Sequence, residues 1–219
     1  MGGHMQGTRR LLDEVPAQEK IRNPELLERR RREILDAALE LFLEKGFKAT
    51  TVRDICQRSG ISHASIYDYV ANKDDILRRL LHRMFQPDKE SSLDRALAGG
   101  YAGPEGFLDD LFAYSWGANR EAILLVYRVI GDLSHEDRRA VLGRDAALAG
   151  GIERYLRRET GLADDDPRLA VIANLIVFLN AFMPFRDWYT RDLDDDDLVR
   201  RTVVDGVTAM IRQLADTPR

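Results

Sequence analysis

The chain has little with which to build a catalytic or metal centre. Its single cysteine, Cys56, excludes an internal disulfide and suits a reducing compartment, so a cytoplasmic protein is expected. Of four histidines, one lies in the opening Met-Gly-Gly-His-Met, which reads as a cloning remnant and is set aside. Too few remain for a site of several histidines. No glycine-rich loop has phosphate-cradling spacing, and no nucleophile and base share a local signature. The acidic runs 164–166 and 194–197 read as solvated helix caps, because their spacing is not that of a metal loop. No stretch reaches the roughly 20 apolar residues a membrane crossing needs. The most hydrophobic run, residues 169–185, is shorter and contains Asn174, Asn180 and Pro184, so a helix buried in protein is expected there. Internal repeats and low-complexity segments are also missing. Enzyme, cofactor carrier and membrane span are therefore disfavoured.

What is present is a soluble, helix-rich composition long enough for a small domain and a medium one. The net charge of −4 argues against a nucleic-acid partner until it is divided along the chain. Residues 1–86 hold 16 Lys+Arg against 13 Asp+Glu, a net of +3. Residues 87–219 hold 17 against 24, a net of −7. A mildly basic end and an acidic body that phosphates would repel follow from that asymmetry.

The basic end contains the most informative stretch, residues 50–73, TTVRDICQRSGISHASIYDYVANK. Thr51 and Asp54 form an acidic capping box. Val52, Ile55 and Cys56 give the helix that follows one apolar face, and Gly60 ends it. Ile61 plugs the turn, and Ser62 caps a second short helix expected over His63 to Tyr69. Ile66 points inward there, leaving His63, Ala64, Ser65 and Tyr67 at the surface. Small and polar groups on a short helix are what a DNA major groove accepts. The stretch reads as a DNA-binding helix-turn-helix.

With its flanks, this region resembles the N-terminal domain of the tetracycline-repressor (TetR) family of bacterial regulators. The resemblance runs over residues 30–85. It rests on Ile34-Leu35-Asp36-Ala37-Ala38, Leu41-Phe42, Gly46-Phe47, Thr50-Thr51-Val52, Asp54-Ile55, Gly60-Ile61-Ser62, Ile66-Tyr67, Tyr69 and Asn72-Lys73-Asp74-Asp75-Ile76-Leu77. Ala64 stands where the family often has glycine, and Cys56 where it often has alanine. Beyond residue 86 the likeness is one of length and helical layout.

The remaining elements follow from caps and periodicity. Residues 1–23 are expected to be the tag remnant and a flexible arm. In it Arg9, Arg10, Lys20 and Arg22 either track DNA or hang free as a tail. Asn23 and Pro24 open the first helix, whose stripe runs through Ile34, Leu35, Ala38, Leu39 and Phe42 to Gly46. Asn72 caps a connecting helix over residues 73–86, with Pro87 at its end. The three-helix reading domain thus spans 24–72, and an effector-binding and dimerisation domain spans 87–219. Residues 87–103 are expected to be its least ordered part. Pro104 opens another helix; residues 122–130 are apolar on nearly all sides and are expected to be a central buried helix. Ser134 and Asp137 cap a long helix in which Gly150-Gly151 would let another backbone approach. In the last helix Gly206 would leave room for close packing. The whole is expected to be all-α, with about nine helices.

The resemblance implies a homodimer that sets two reading helices about one DNA turn, ~34 Å, apart on a palindromic operator. Thr51, Tyr67 and Lys73 would then anchor phosphates, with Arg53 beside them. Ser62, His63, Ala64 and Ser65 would face base edges. Lys73 alternatively only balances Asp74, and Tyr67 alternatively packs inward; for Tyr69, packing on the first helix is expected. Cys56 is expected to be buried and not a redox sensor. Phe112, Trp116, Tyr127, Phe178, Phe182 and Trp188 form an aromatic set suited to an apolar or acylated effector, with ordinary core packing the plainer reading of each. Arg128, a lone charge in an apolar helix, needs either an acidic effector group or an internal acid. The pattern Phe185 to Trp188, followed by acids and Leu198, is similar to regulators of fatty-acid or steroid catabolism that respond to acyl-CoA thioesters. The last two helices would form a four-helix bundle with a second copy. A small helical enzyme and a protein-binding adaptor are the competing classes.

Overall fold

The computed structural model describes residues 23–85, 91–190 and 195–216. The N-terminal arm with Arg9, Arg10, Lys20 and Arg22, together with Pro87 and Asp194, lies outside them. Among the described residues the chain is all-α, with ten α-helices and one 3₁₀ turn and no strand. The helices are α1 (Pro24–Lys45), α2 (Val52–Ser59), α3 (Lys73–Phe85), α4 (Ser92–Leu97) and α5 (Pro104–Trp116). They continue with α6 (Arg120–Val129), α7 (His135–Thr160), α8 (Pro167–Leu179), α9 (Phe182–Thr190) and α10 (Asp196–Asp216). No helix of the described residues is long and apolar enough to cross a membrane.

Two compact units result. The first combines Met1–Gln86 with Leu124–Val141, and the second combines Pro87–Ile123 with Leu142–Arg219. Sequence places 124–141 in the effector body, but its side chains fall into the first core. That core joins Ile34, Phe42, Ile55, Ile66, Ile76 and Leu80 to Leu125, Val129, Ala140 and Val141. Each fully buried aliphatic or aromatic side chain contributes about 1.5–3 kcal/mol.

Local chemistry sets its elements. The Asn23 side chain accepts from the amides of Glu25 and Leu26 at 3.1 and 3.2 Å, and Pro24 occupies the first helical position. α1 stops at Gly46, whose φ of 88° lies where a β-carbon would be strained. The buried Thr50 hydroxyl then turns the chain by donating to the Gly46 carbonyl at 2.8 Å.

The second core is built from α4, α5, the later part of α7, α8 and α10, around Phe107, Leu108, Phe112, Tyr155, Ile176 and Val207. Several sequence expectations change here. Residues 92–97 form a helix, closed by a capping box in which Ser91 and Asp94 exchange bonds at 2.7 and 3.1 Å. What lies against Gly151 is the Leu93 side chain, not a backbone. Among the described residues, nothing lies against Gly206. The run 169–185 is two helices, because two groups interrupt the ladder. Trp116 donates its indole N–H to the Leu179 carbonyl at 3.0 Å, and Pro184 has no N–H for the carbonyl of Asn180. Nor is the run buried throughout. Leu169, Ala173, Ile176 and Val177 face the core, while Val171 is 66% exposed and Phe178 64%.

The α6 expectation is corrected as well. Ala122, Leu125 and Val129 are buried, but Tyr127 and Arg128 are exposed. Arg128 needs no internal acid, since its guanidinium donates to the Leu43 carbonyl in the last turn of α1. A cation there meets the negative end of the helix dipole.

Candidate nucleic-acid interface

The interface is built on α2. Its capping box is complete. The Thr51 hydroxyl accepts from the Asp54 amide at 3.2 Å, and the Asp54 carboxylate accepts from the Thr51 amide and hydroxyl, each at 2.7 Å. Lys45 adds an ion pair to Asp54 at 2.7 Å. That pair first, and then the two Thr51 bonds, holds the Asp54 carboxyl well below the usual carboxylate range. At the other end Arg58 reaches back to Glu40 at 2.7 Å and Glu44 at 2.9 Å, tying α2 to α1. Those two carboxylates push the guanidinium further up from its ordinary value. Between these ties Ile55 and Cys56 are buried, and burial raises the Cys56 thiol.

Gly60, at φ 70° and ψ 14°, supplies the left-handed residue that ends α2, and Ile61 fills the turn. The second short helix differs from expectation. Residues 63–65 form a turn and only Ile66–Asp68 is 3₁₀. The Ser62 carbonyl is shared by the amides of Ser65 and Ile66, both at 3.0 Å, so three- and four-residue spacings compete from the first bond. The Ser62 hydroxyl accepts from the Ser65 amide at 3.1 Å and donates to its hydroxyl at 2.8 Å. Ile66 and Val70 anchor this turn from below, at 0% and 1% exposure.

The outer side of the turn carries most of the residues picked from sequence. Ser62, His63, Ala64 and Tyr67 are exposed and Ser65 is half-buried. The His63 and Tyr67 rings meet edge to face at 5.4 Å, forming a small shelf above Ile66. Arg53 and Thr51 are exposed at the start of α2. Tyr69 is partly buried and packs on the first core.

Lys73 is differently placed. Its ammonium donates to the carbonyls of Phe47 at 2.7 Å and Thr50 at 2.8 Å, with Lys48 at 3.4 Å, and lies 4.4 Å from the Phe47 ring centroid. Its donors are thus spent on the α1–α2 turn. Neither the phosphate-anchor nor the Asp74-balancing expectation anticipates this. Sequence reasoning also missed Arg31, whose buried guanidinium reaches the Tyr69 carbonyl at 3.2 Å. The available signal was a charge standing in phase with the apolar stripe of α1.

The aromatic effector set divides. Phe112 and Trp116 stack at 5.0 Å, and Trp116 lies 6.2 Å from Phe182. Beside them Ser115 donates to the buried Asn180 side chain at 2.8 Å. Tyr127 and Arg128 belong to the first unit, and Phe178 and Trp188 are exposed, Trp188 with Arg186 over its ring at 4.9 Å.

Residues 34–80 match the model of the family described as bacterial regulatory proteins, tetR family. The chain is 33% identical over 139 residues to the HTH-type transcriptional regulator HbdR of Aromatoleum sp. (strain CIB), covering 63% of this chain and 60% of that protein. It is 45% identical over 65 residues to the HTH-type transcriptional repressor KstR2 of Rhodococcus jostii, covering 28% of this chain and 32% of the relative. The similarity therefore spans less than two thirds of these relatives' lengths. The fold extends further: the TetR family transcriptional regulator PfmR of Thermus thermophilus superposes with a TM-score of 0.61 at 24% identity, covering 80% of this chain and 97% of that one. The helix-turn-helix of residues 34–80 is that of the tetR family of bacterial regulatory proteins, and the all-helical layout matches that of a solved regulator.

Proposed function

We propose that this chain is a ligand-responsive transcriptional repressor that binds a palindromic operator as a homodimer and leaves it when an effector enters the second unit. The observation that carries the reading is the exposed shelf of His63, Ala64 and Tyr67, held over the buried Ile66 on a turn that Ser62 opens and the Tyr69 amide closes. A small-surfaced turn suits the major groove. Ser62, His63, Ala64 and Ser65 meet base edges; Thr51, Arg53 and Tyr67 meet phosphates. Lys73 acts at one remove, by fixing the turn between α1 and α2.

Dimerisation through α8 to α10 accounts for Val171, Phe178, Phe185 and Trp188 in water and for the open side of Gly206. Repression as the direction of control takes support from the Rhodococcus jostii relative, itself named a repressor. For the effector, the stack of Phe112, Trp116 and Phe182 beside the Ser115–Asn180 pair favours an apolar or acyl-CoA-type molecule with a hydrogen-bonding group. Release is a population shift: the effector binds the conformer that does not fit DNA more tightly than the one that does.

Selection from a random duplex library tests the core of this reading. Wild-type protein should enrich a two-fold symmetric site and bind it with an affinity that falls steeply with salt. His63→Ala should change the preferred bases while leaving the fold intact. No enrichment at all would return the chain to the adaptor or enzyme class. Long-chain acyl-CoA should dissociate the complex where free coenzyme A does not, and failure of both would remove that effector class.

A further inference from the structure

Arg31 stands between Leu27 and Ile34 on the inner face of α1 and is 8% exposed. Burying a guanidinium is unfavourable unless its donors are met. Two are. Nε donates to the Tyr69 carbonyl at 3.2 Å and Nη1 to the Glu28 carboxylate at 3.2 Å, while Nη2 is buried without a partner. Glu28 is exposed, so it does not explain the burial. The Tyr69 carbonyl does, because of where it lies. The Tyr69 amide closes the reading turn by donating to the Ile66 carbonyl at 3.0 Å, and its carbonyl is the first acceptor past that closure.

A 3₁₀ turn of three residues has too few internal bonds to hold its own orientation. Ile66 and Val70 fix how deeply it sits, but apolar contacts are not directional. A hydrogen bond from the planar Arg31 fork is directional. We propose that Arg31 is a positioning residue for base readout: by gripping the Tyr69 carbonyl from α1, it sets the direction in which His63, Ala64 and Tyr67 face. With 10% of its side chain exposed, it lies too deep to be a phosphate contact.

The inference rests on the DNA-binding reading above, and one set of selections separates the two. Wild-type, Arg31→Lys and Arg31→Met proteins are each taken through a random duplex library, then titrated with the wild-type site and with sheared genomic DNA. Methionine removes the buried charge at similar length, at the stability cost of leaving the Tyr69 carbonyl without its donor. Lysine keeps the charge without the fork and carries the test if the methionine variant does not fold. Both variants should lose about tenfold in the ratio of specific to non-specific affinity, the scale of one hydrogen bond to a charged group. Their enriched sites should be blurred, and their salt slope on genomic DNA should match wild type. An unchanged ratio and site profile would overturn the proposal and leave DNA binding standing. So would a salt slope lower by about one in the methionine variant alone, which marks a phosphate contact. If the wild-type protein enriches no sequence, the DNA-binding reading fails and this one with it.

Discussion

Around α2 and the reading turn, the capping and pairing side chains find their partners within the first unit; on α8 and α9 of the second, large apolar side chains meet water. Asp54 is held by Thr51 and Lys45, Arg58 by Glu40 and Glu44, and Lys73 by three carbonyls. Val171, Phe178, Phe185 and Trp188 are all exposed. The polar side chains of the first unit around α2 are therefore largely satisfied from within that unit. The second exposes a face that association would bury, and the homodimer proposed above is the association that matches it.

The comparison breaks most visibly at Phe178. Phe178→Glu places a charge on the apolar face, where it should halve the mass seen in sedimentation. Operator affinity should fall by about 100-fold or more as the two-headed grip is lost. A variant that stays dimeric would show that α8 is not the interface. Ile66→Ala probes the other side. Truncating this fully buried side chain should cost about 2–5 kcal/mol in chemical denaturation. If the first unit is self-sufficient, the same loss should appear in the Phe178→Glu background, since distant independent sites add. A loss that changes between backgrounds would tie the first unit's stability to association.

The contrast also explains which parts of the chain were legible in its sequence. Asn23-Pro24, Thr51 with Asp54, Gly60 and Ser134 with Asp137 all act within four residues, so reading the string is reading the contact. Ser91 with Asp94 carries the same signal, masked by the glycines that follow it, and α4 was missed for that reason. What sequence did not reveal depends on distant partners. Trp116 divides α8 from α9 through a carbonyl 63 residues away, and Arg128 finds a helix end 85 residues away. Of the candidate site, the exposed residues of the reading turn were visible because a short helical pattern has only one inward position, Ile66. The roles of Lys73 and Arg31 were not, because no periodicity reports which carbonyl a long cation will reach.

A smaller effect is expected at Lys73. Its ammonium lies among the carbonyls of Phe47, Lys48 and Thr50, so Lys73→Met should leave acceptors unmet and cost about 1–2 kcal/mol in a denaturant melt. The salt slope of DNA binding should change by less than one unit. An unaltered melt with a slope lower by about one would instead make Lys73 a phosphate anchor like those proposed at Thr51 and Tyr67.

The smallest effect lies at the cap of α2, where pH supplies the test. Thr51→Ala should cost about 1 kcal/mol, the usual loss for an N-cap hydroxyl. Its partner Asp54 has a folded-state carboxyl held well below the ordinary range, first by Lys45 and then by the Thr51 hydroxyl and amide. A depressed carboxyl contributes stability that is fully present above its unfolded value, near ~4, and is lost as pH falls through the folded value. The stability gap between wild type and Asp54→Asn should therefore stay constant from neutral pH down to about 4 and close only below it. Urea melts of both proteins across that range, made in the Phe178→Glu background so that association does not contribute, would show it. A gap that does not narrow below pH 4 would mean that Lys45 and Thr51 do not hold the carboxylate in solution, and the first unit would be less complete by itself than its contacts indicate.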